Sequence, residues 1–409
     1  ATAGDVNGDG YADLVVGADY YDTGRGKAYV YHGTRWGLNP AFDWTAGGEN
    51  AYDTFGYAVS TAGDVNNDGF ADLIVGAYGY DGGRGRAYLF HGSTSGLSTA
   101  PIWSATGESA GDNFARAVGA AGDVNGDGYA DVVIGALYND TGGANAGKAY
   151  LYYGGATGLT PGPADWTATG AYTYDNFGAA VAAAGDVNGD GYADLVIGAT
   201  GYPQGTGNGK AYVYYGGPAG PTTGPANWTA SGEGAADHFG FSVGTAGDVN
   251  GDRCADLVVG AWGHDENRGK AYVYHGSTAG LGAAPAWTAE GVNAGDYFGW
   301  SAAATGDVNG DGYADLAVGA WGYDDAERTD AGYVRVYHGS VAGLYVADAL
   351  TASGQNANDA FGFAVATAGD VDGDGYADLI VGAQGYATAA GQVTLYHGSA
   401  AGLDAAHPW

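Results

Sequence analysis

The sequence predicts an all-β protein, a seven-bladed β-propeller with four short antiparallel strands per blade. Three observations predict it: a motif that returns seven times, four strand-like segments per return, and glycine-rich turns between them. The motif AGDVNGDGYADLVVGA occupies positions 3–18, and copies counted from its first Asp begin at Asp5, Asp64, Asp123, Asp186, Asp248, Asp307 and Asp370. Spacings run from 59 to 63 residues, with insertions between motifs and none inside them, as loops on a fixed scaffold require.

The second unit supplies the elements in order. Residues 55–62 (FGYAVSTA), 72–76 (DLIVG), 86–91 (RAYLFH) and 102–105 (IWSA) are too short, and too β-branched or aromatic, for helices, and no helix is expected anywhere. One four-stranded sheet cannot bury both faces alone, so seven must stack. A ring fits better than a solenoid. Fifteen residues separate Trp44 from the equivalent of Ala1, and the final residue, Trp409, is the equivalent of Trp44, so residues 1–409 amount to seven units less one connection. The two ends are expected to meet in one blade. The Phe-Gly half of the first inner strand is absent, and residues beyond the ends, or a neighbouring polypeptide, are expected to complete blade 1.

Composition narrows the function classes. With 81 Gly but no G-X-Y period, and 45% hydrophobic and 13% aromatic residues, the chain is neither collagen nor disordered. A formal charge of -33, from 46 acids against 13 bases, repels phosphate backbones and anionic headgroups, so neither nucleic acid nor direct membrane insertion is expected and cations are the favoured partners. A single Cys, Cys254, excludes a disulfide scaffold, and no long apolar run suggests a transmembrane helix. Low cysteine with abundant Asp and Gly suits an extracellular, secreted or cell-surface setting. The absence of Met and a start inside a repeat suggest a processed or truncated product of a longer chain.

Each motif carries D-x-[ND]-x-D-G-x-x-D over nine residues, at 5–13, 64–72, 123–131, 186–194, 248–256, 307–315 and 370–378, with Arg253 in the Gly place of the fifth. Hard oxygens at alternating positions of a tight turn are what Ca²⁺ requires, with a backbone carbonyl from the seventh position. The predicted ligands are Asp5, Asn7, Asp9, Tyr11 and Asp13 in the first loop, then Asp64, Asn66, Asp68, Phe70 and Asp72 in the second. The third offers Asp123, Asn125, Asp127, Tyr129 and Asp131, and the fourth Asp186, Asn188, Asp190, Tyr192 and Asp194. The fifth offers Asp248, Asn250, Asp252, Cys254 and Asp256, the sixth Asp307, Asn309, Asp311, Tyr313 and Asp315. In the seventh they are Asp370, Asp372, Asp374, Tyr376 and Asp378. Up to seven Ca²⁺ follow. An EF-hand or dockerin loop needs an acid at the twelfth position, where Val16, Val75, Ile134, Ile197, Val259, Val318 and Val381 stand. One copy alone would pass for an Asp/Asn/Gly β-turn, but seven in register do not. Arg253 forces a non-Gly residue to positive φ beside the metal, so the fifth loop is expected to bind weakest.

The pairs Phe55-Gly56, Phe177-Gly178, Phe239-Gly240, Phe298-Gly299 and Phe361-Gly362, the variant Phe114-Ala115, the nine-residue loops and the Gly-Ala strand ends from Gly17-Ala18 to Gly382-Ala383 resemble the FG-GAP repeats of integrin α-subunit propellers. None of the Gly-Ala pairs is followed by Pro, and every unit carries the acidic loop, which looks more like bacterial or fungal secreted relatives. The resemblance implies seven blades, calcium between first and second strands on one face, and ligand binding on the other.

Loops after the second strands pair aromatics with acids, notably Tyr80 with Asp81, Trp262 with His264 and Asp265, and Trp321 with Tyr323 and Asp324. Aromatic platforms beside carboxylates suit a protein or glycan ligand, although the repeated Gly-Tyr-Asp pattern suits packing between blades equally well. Fourth-strand Trp residues are read as structural, and His32, His91, His275, His338 and His397 as turn caps. No nucleophile elbow, phosphate loop or HExxH appears, so no enzyme is expected. The leading function is a calcium-dependent adhesion or protein-binding module. A carbohydrate-binding lectin and a domain of a secreted polysaccharide-degrading enzyme are the alternatives.

Overall fold

The computed structural model of the protein describes residues 1–203, 206–345 and 349–404. Strands pair antiparallel in sequence order within seven sheets. Blade 1 contains Thr2–Gly4, Asp13–Ala18, Lys27–Tyr31 and Trp44–Gly47, and blade 2 contains Ala58–Gly63, Asp72–Ala77, Arg86–Phe90 and Trp103–Thr106. Blades 3 to 6 repeat this order, and blade 7 shows three strands among the described residues, Phe361–Gly369, Asp378–Ala383 and Gln392–Tyr396. The seven-bladed propeller is therefore present. Each sheet among the described residues is built from one contiguous segment, with Thr2–Gly4 in blade 1; the expected meeting of the two ends turns on Trp409, which lies outside the described residues. Four-residue turns follow second strands at Tyr21–Gly24, Tyr80–Gly83, His264–Asn267 and Tyr386–Ala389, and in the first three the two central residues have left-handed rather than helical dihedrals, as Asp22 at φ 50° and Thr23 at φ 61° do.

Second strands run between the first and third strands of each sheet. Asp72–Ala77 is buried along its whole length, as are its counterparts in blades 3 to 6, which explains their unbroken apolar runs. The Phe-Gly and Gly-Ala signatures meet between blades. A Cβ on Gly17 would lie 1.9 Å from the Gly56 carbonyl oxygen, and Gly56 itself has φ +85°, so neither position admits a side chain. Phe55 is buried against the Tyr88 ring at 5.4 Å. The expected strand 55–62 consequently begins at Ala58 in blade 2, because Phe55 to Tyr57 turn across the junction.

Fourth-strand tryptophans clasp the following blade, as their structural reading requires. The indole N–H of Trp44, Trp103, Trp166, Trp228 and Trp287 donates at 2.9–3.2 Å to the carbonyls of Ser98, Thr160, Thr222, Gly282 and Tyr345. Each ring also meets a third-strand aromatic of that blade edge-on, at 4.7–5.0 Å. Leu350 takes this place in blade 6 and offers no donor. The five histidines pack against glycine turns: a Cβ on Gly96 would touch the His32 ring at 3.4 Å, and the same approach relates Gly158 to His91, Gly343 to His275, Gly402 to His338 and Gly37 to His397.

Candidate functional site

All seven acidic loops lie between first and second strands, and the glycine-rich sequence folds each into the same tight network. In the first, Asp5 accepts from the amides of Gly8, Asp9 and Gly10, Asn7 accepts from Asp9, and Asp9 accepts from Tyr11. These contacts turn the side chains of the first, third and fifth positions toward one another. The ninth-position Asp begins the buried strand and is fully enclosed: Asp13 accepts the Val6 and Gly33 amides at 2.9 Å, and Asp72, Asp131, Asp194, Asp256, Asp315 and Asp378 accept the equivalent pairs. Burial raises the Asp13 carboxyl to about 6 and those of Asp72, Asp131, Asp194, Asp256 and Asp315 to about 7, although their backbone partners pull the other way and nearby loop carboxylates push the same way.

The donor set fits a hard divalent cation. A buried, a half-buried and an exposed carboxylate within nine residues concentrate negative charge that such an ion relieves, and in the seventh loop oxygens of Asp370, Asp372 and Asp374 gather within 4.8 Å. Asp372 also sits 3.3 Å from His397 Nδ1. Arg253 does adopt positive φ, 73°, yet its amide still donates to Asp248 at 2.8 Å, so the fifth loop keeps its shape. Cys254 is buried, and burial raises its thiol.

The loops join into a belt that the spacing alone did not reveal. The eighth-position amide of each loop donates at 2.9–3.1 Å to the first-position carbonyl of the loop before it, from Ala71 to Asp5 through Ala377 to Asp307, and Ala12 to Asp370 closes the ring. Seventh-position side chains add to it. A Cβ on Gly8 would strike the Phe70 ring, and Tyr192, Tyr313, Tyr376 and Tyr11 cover Gly126, Gly251, Gly310 and Gly373 in the same way, with Cys254 over Gly189.

On the opposite face the sequence-predicted residues separate into two groups. Trp262 and Trp321 join a half-buried aromatic cluster with Phe241, Trp300 and Phe363 across blades 5 to 7, with ring centroids 4.4–6.3 Å apart. His238 stacks on Trp262 at 4.4 Å and Tyr297 on Trp321 at 4.6 Å. The indole N–H groups of Trp262 and Trp321 are buried without an acceptor among the described residues. Phe241, Trp300 and Phe363 were missed, although the residue after each Phe-Gly pair changes from blade to blade, which was the available signal. The second group is occupied with packing farther out. Asp81 and Asp265 pair with Arg84 and Arg268 at 2.9 Å, Tyr80 lies over Arg86, His264 approaches Asp237 at 3.3 Å, Tyr323 meets Tyr333 edge-on, and Asp324 accepts the Asp330 amide.

Comparison with known proteins places this architecture. The FG-GAP repeat profile matches residues 1–31, 55–90, 114–152, 177–214, 298–337 and 361–396, and a second FG-GAP repeat profile matches 225–274. The chain belongs to the FG-GAP repeat family, and its propeller is integrin-like. It is 33% identical to integrin alpha-PS2 of Drosophila melanogaster over 222 residues, covering 52% of this chain and 15% of that protein. Integrin alpha-IIb of Mus musculus is 31% identical over 219 residues, covering 47% and 20%. The chain thus spans a fifth or less of these relatives. Among solved structures, Chaetomium thermophilum Sqt1 bound to the N-terminus of ribosomal protein L10 aligns over 98% of this chain and 84% of that one, with a TM-score of 0.52 and 14% identity, a likeness of fold alone. Among the described residues no helix is long and apolar enough to cross a membrane.

Proposed function

We propose that the protein is a non-catalytic, calcium-rigidified binding propeller that acts outside the cell as an adhesion or protein-recognition module. The observation that carries this reading is the aromatic cluster of blades 5 to 7. Half-buried Trp and Phe rings gathered on one side of an otherwise repetitive surface have the composition of a recognition hot spot. The FG-GAP integrin relatives support a protein partner over other classes. Up to seven Ca²⁺ on the far face hold the loops through the ligands named above. Sites of the extracellular class fill only near about 10⁻⁴ to 10⁻³ M calcium, which agrees with a secreted or cell-surface location.

The test presents calcium-loaded protein to a protein array and a glycan array in parallel. Protein hits that disappear in a Trp262→Ala/Trp321→Ala variant with unchanged circular dichroism support the proposal. Glycan hits alone, or protein hits indifferent to the double substitution, count against it.

A further inference from the structure

A second pattern lies nearer the rim, where each outer strand meets the next blade. At three of these junctions a Glu five residues after the clasping Trp reaches the base that opens the third strand of the following blade. Glu49 bonds Arg86 at 3.1 Å, Glu108 bonds Lys148 at 2.7 Å, and Glu233 bonds Lys270 at 3.0 Å. The tyrosine two residues along the strand takes part, since the Tyr88 hydroxyl donates to Glu49 at 3.0 Å. Arg86, Lys148 and Lys270 each lie over the ring of that tyrosine, Tyr88, Tyr150 or Tyr272, at 5.0–5.2 Å, so cation, tyrosine ring and carboxylate recur together at the three junctions.

The junction between blades 3 and 4 keeps the first two and lacks the third. Lys210 opens the strand and Tyr212 follows it, but Ala171 stands in the Glu position. Lys210 lies over the rings of Tyr202 and Tyr212, both at 4.8 Å, and has no carboxylate within ion-pair distance among the described residues. A groove of about 610 Å³ opens at this place, lined by Ala171, Lys210, Tyr212, Thr169, Thr223 and Thr229 among others. The junction between blades 5 and 6 is built differently: Val292 fills the Glu position, Tyr333 and Arg335 exchange places along the strand, and Arg335 reaches the Glu290 carbonyl.

We infer that the groove between blades 3 and 4 binds a carboxylate-bearing sugar of the hexuronate class, whose carboxylate takes the place that Glu49, Glu108 and Glu233 hold elsewhere, against Lys210 and Tyr212. The protein's own junctions serve as the pattern for the complex. Buried Asp175 does not oppose it, because the equivalent Asp53, Asp112 and Asp237 already coexist with those glutamates. The body of the ligand is assigned from the walls. Thr169, Thr223 and Thr229 beside Tyr212 in the lining bring hydroxyls and an aromatic ring to one groove, which matches a hydroxylated ring better than an extended acidic peptide. This site is separate from the aromatic cluster and does not depend on it.

The experiment titrates the calcium-loaded chain with glucuronate and galacturonate by calorimetry, with glucose, galactose and an oligoglutamate peptide as controls. Saturable uronate binding with a Kd below about 10 mM is expected, weakened at least about tenfold by Lys210→Met and by Ala171→Glu, which supplies the missing carboxylate from within. Ala171→Glu restores the arrangement of three other junctions, so it is expected to fold and keep calcium-dependent melting even if Lys210→Met does not. Trp321→Ala is expected to leave uronate binding unchanged. No uronate binding, equal binding of the neutral sugars, binding by the peptide alone, or indifference to Ala171→Glu would each overturn the inference.

Discussion

The two faces of the ring are built on opposite principles. On the loop face seven near-identical acidic turns are hydrogen-bonded into a closed belt, and what is repeated there holds the blades in register. On the other face blades 5 and 6 place Trp262 and Trp321 where blades 3 and 4 carry Leu137 and Thr200 after the second strand, and Trp300 and Phe363 join them from the start of the inner strands of blades 6 and 7. Tryptophan itself marks the difference. Every fourth-strand indole with described surroundings finds an acceptor on the next blade, whereas those of Trp262 and Trp321 find none among the described residues. Repetition here builds the scaffold, and the departure from repetition is where the proposed recognition surface lies.

Removing divalent ions is the strongest way to break the comparison. A site held at a hundred times its Kd contributes about 2.7 kcal/mol, and the belt couples neighbouring loops, so chelation is expected to lower Tm by more than about 10 °C in differential scanning calorimetry. The aromatic face contains no such dependence, and its Trp fluorescence below the transition is expected to change little. An unaltered Tm would remove the assigned role of the loops.

Single substitutions sharpen the contrast. Asp131→Ala strips the Val124 and Gly154 amides of their acceptor, at about 1 to 3 kcal/mol each, and is expected to destabilise the protein with or without calcium. Asp127→Ala removes an exposed ligand and is expected to matter mainly when calcium is present. Among tryptophans, Trp166→Ala loses a clasp and a buried ring, about 3 to 5 kcal/mol, while half-buried Trp321→Ala is expected to cost less and to show in binding. Urea melts of the four variants, with and without calcium, measure the stability changes, and the protein array measures the binding.

Most of the loop face was legible in the sequence because its chemistry is local: nine residues fix the turn, its oxygens and the positive φ at Arg253. The belt was not, since the Ala71 amide and the Asp5 carbonyl lie in different repeats and backbone partners leave no mark on residue type. The aromatic cluster was half legible. Trp262 and Trp321 stood out as replacements, but Trp300 and Phe363 precede or enter inner strands and read as ordinary strand residues until closure of the ring brings three blades together. Tyr80, Asp81, Asp265 and Asp324 looked equally exposed in sequence, yet short-range pairing inside the turn and across the junction claims them.

Acid tests the same loops with a definite sign. Asp72, Asp131, Asp194, Asp256 and Asp315 titrate near about 7 in the folded chain, well above an unfolded Asp, so the folded state binds more protons between those values. In chelator, stability is therefore expected to fall as pH rises from about 5 to 8. With saturating calcium the ion replaces the protons, neither state titrates these groups in that range, and the slope is expected to vanish. Thermal melts across that range, with and without calcium, check both slopes; parallel slopes would show that the buried carboxylates do not meet the ion.

The smallest effect comes from the one irregular loop. Arg253 holds φ at 73° where the other loops have Gly, a strain of about 1 to 2 kcal/mol, and it brings a cation next to the ion site. Its amide nevertheless keeps the bond to Asp248 that Gly10 makes to Asp5, so the substitution disturbs the energy of the loop more than its geometry. Arg253→Gly is expected to raise Tm by a degree or two and to tighten the weakest step of a calorimetric calcium titration. If the titration of the native chain already shows seven equal sites, the cation at position 253 is directed away from the metal, and only the strain relief would remain in the melting curve.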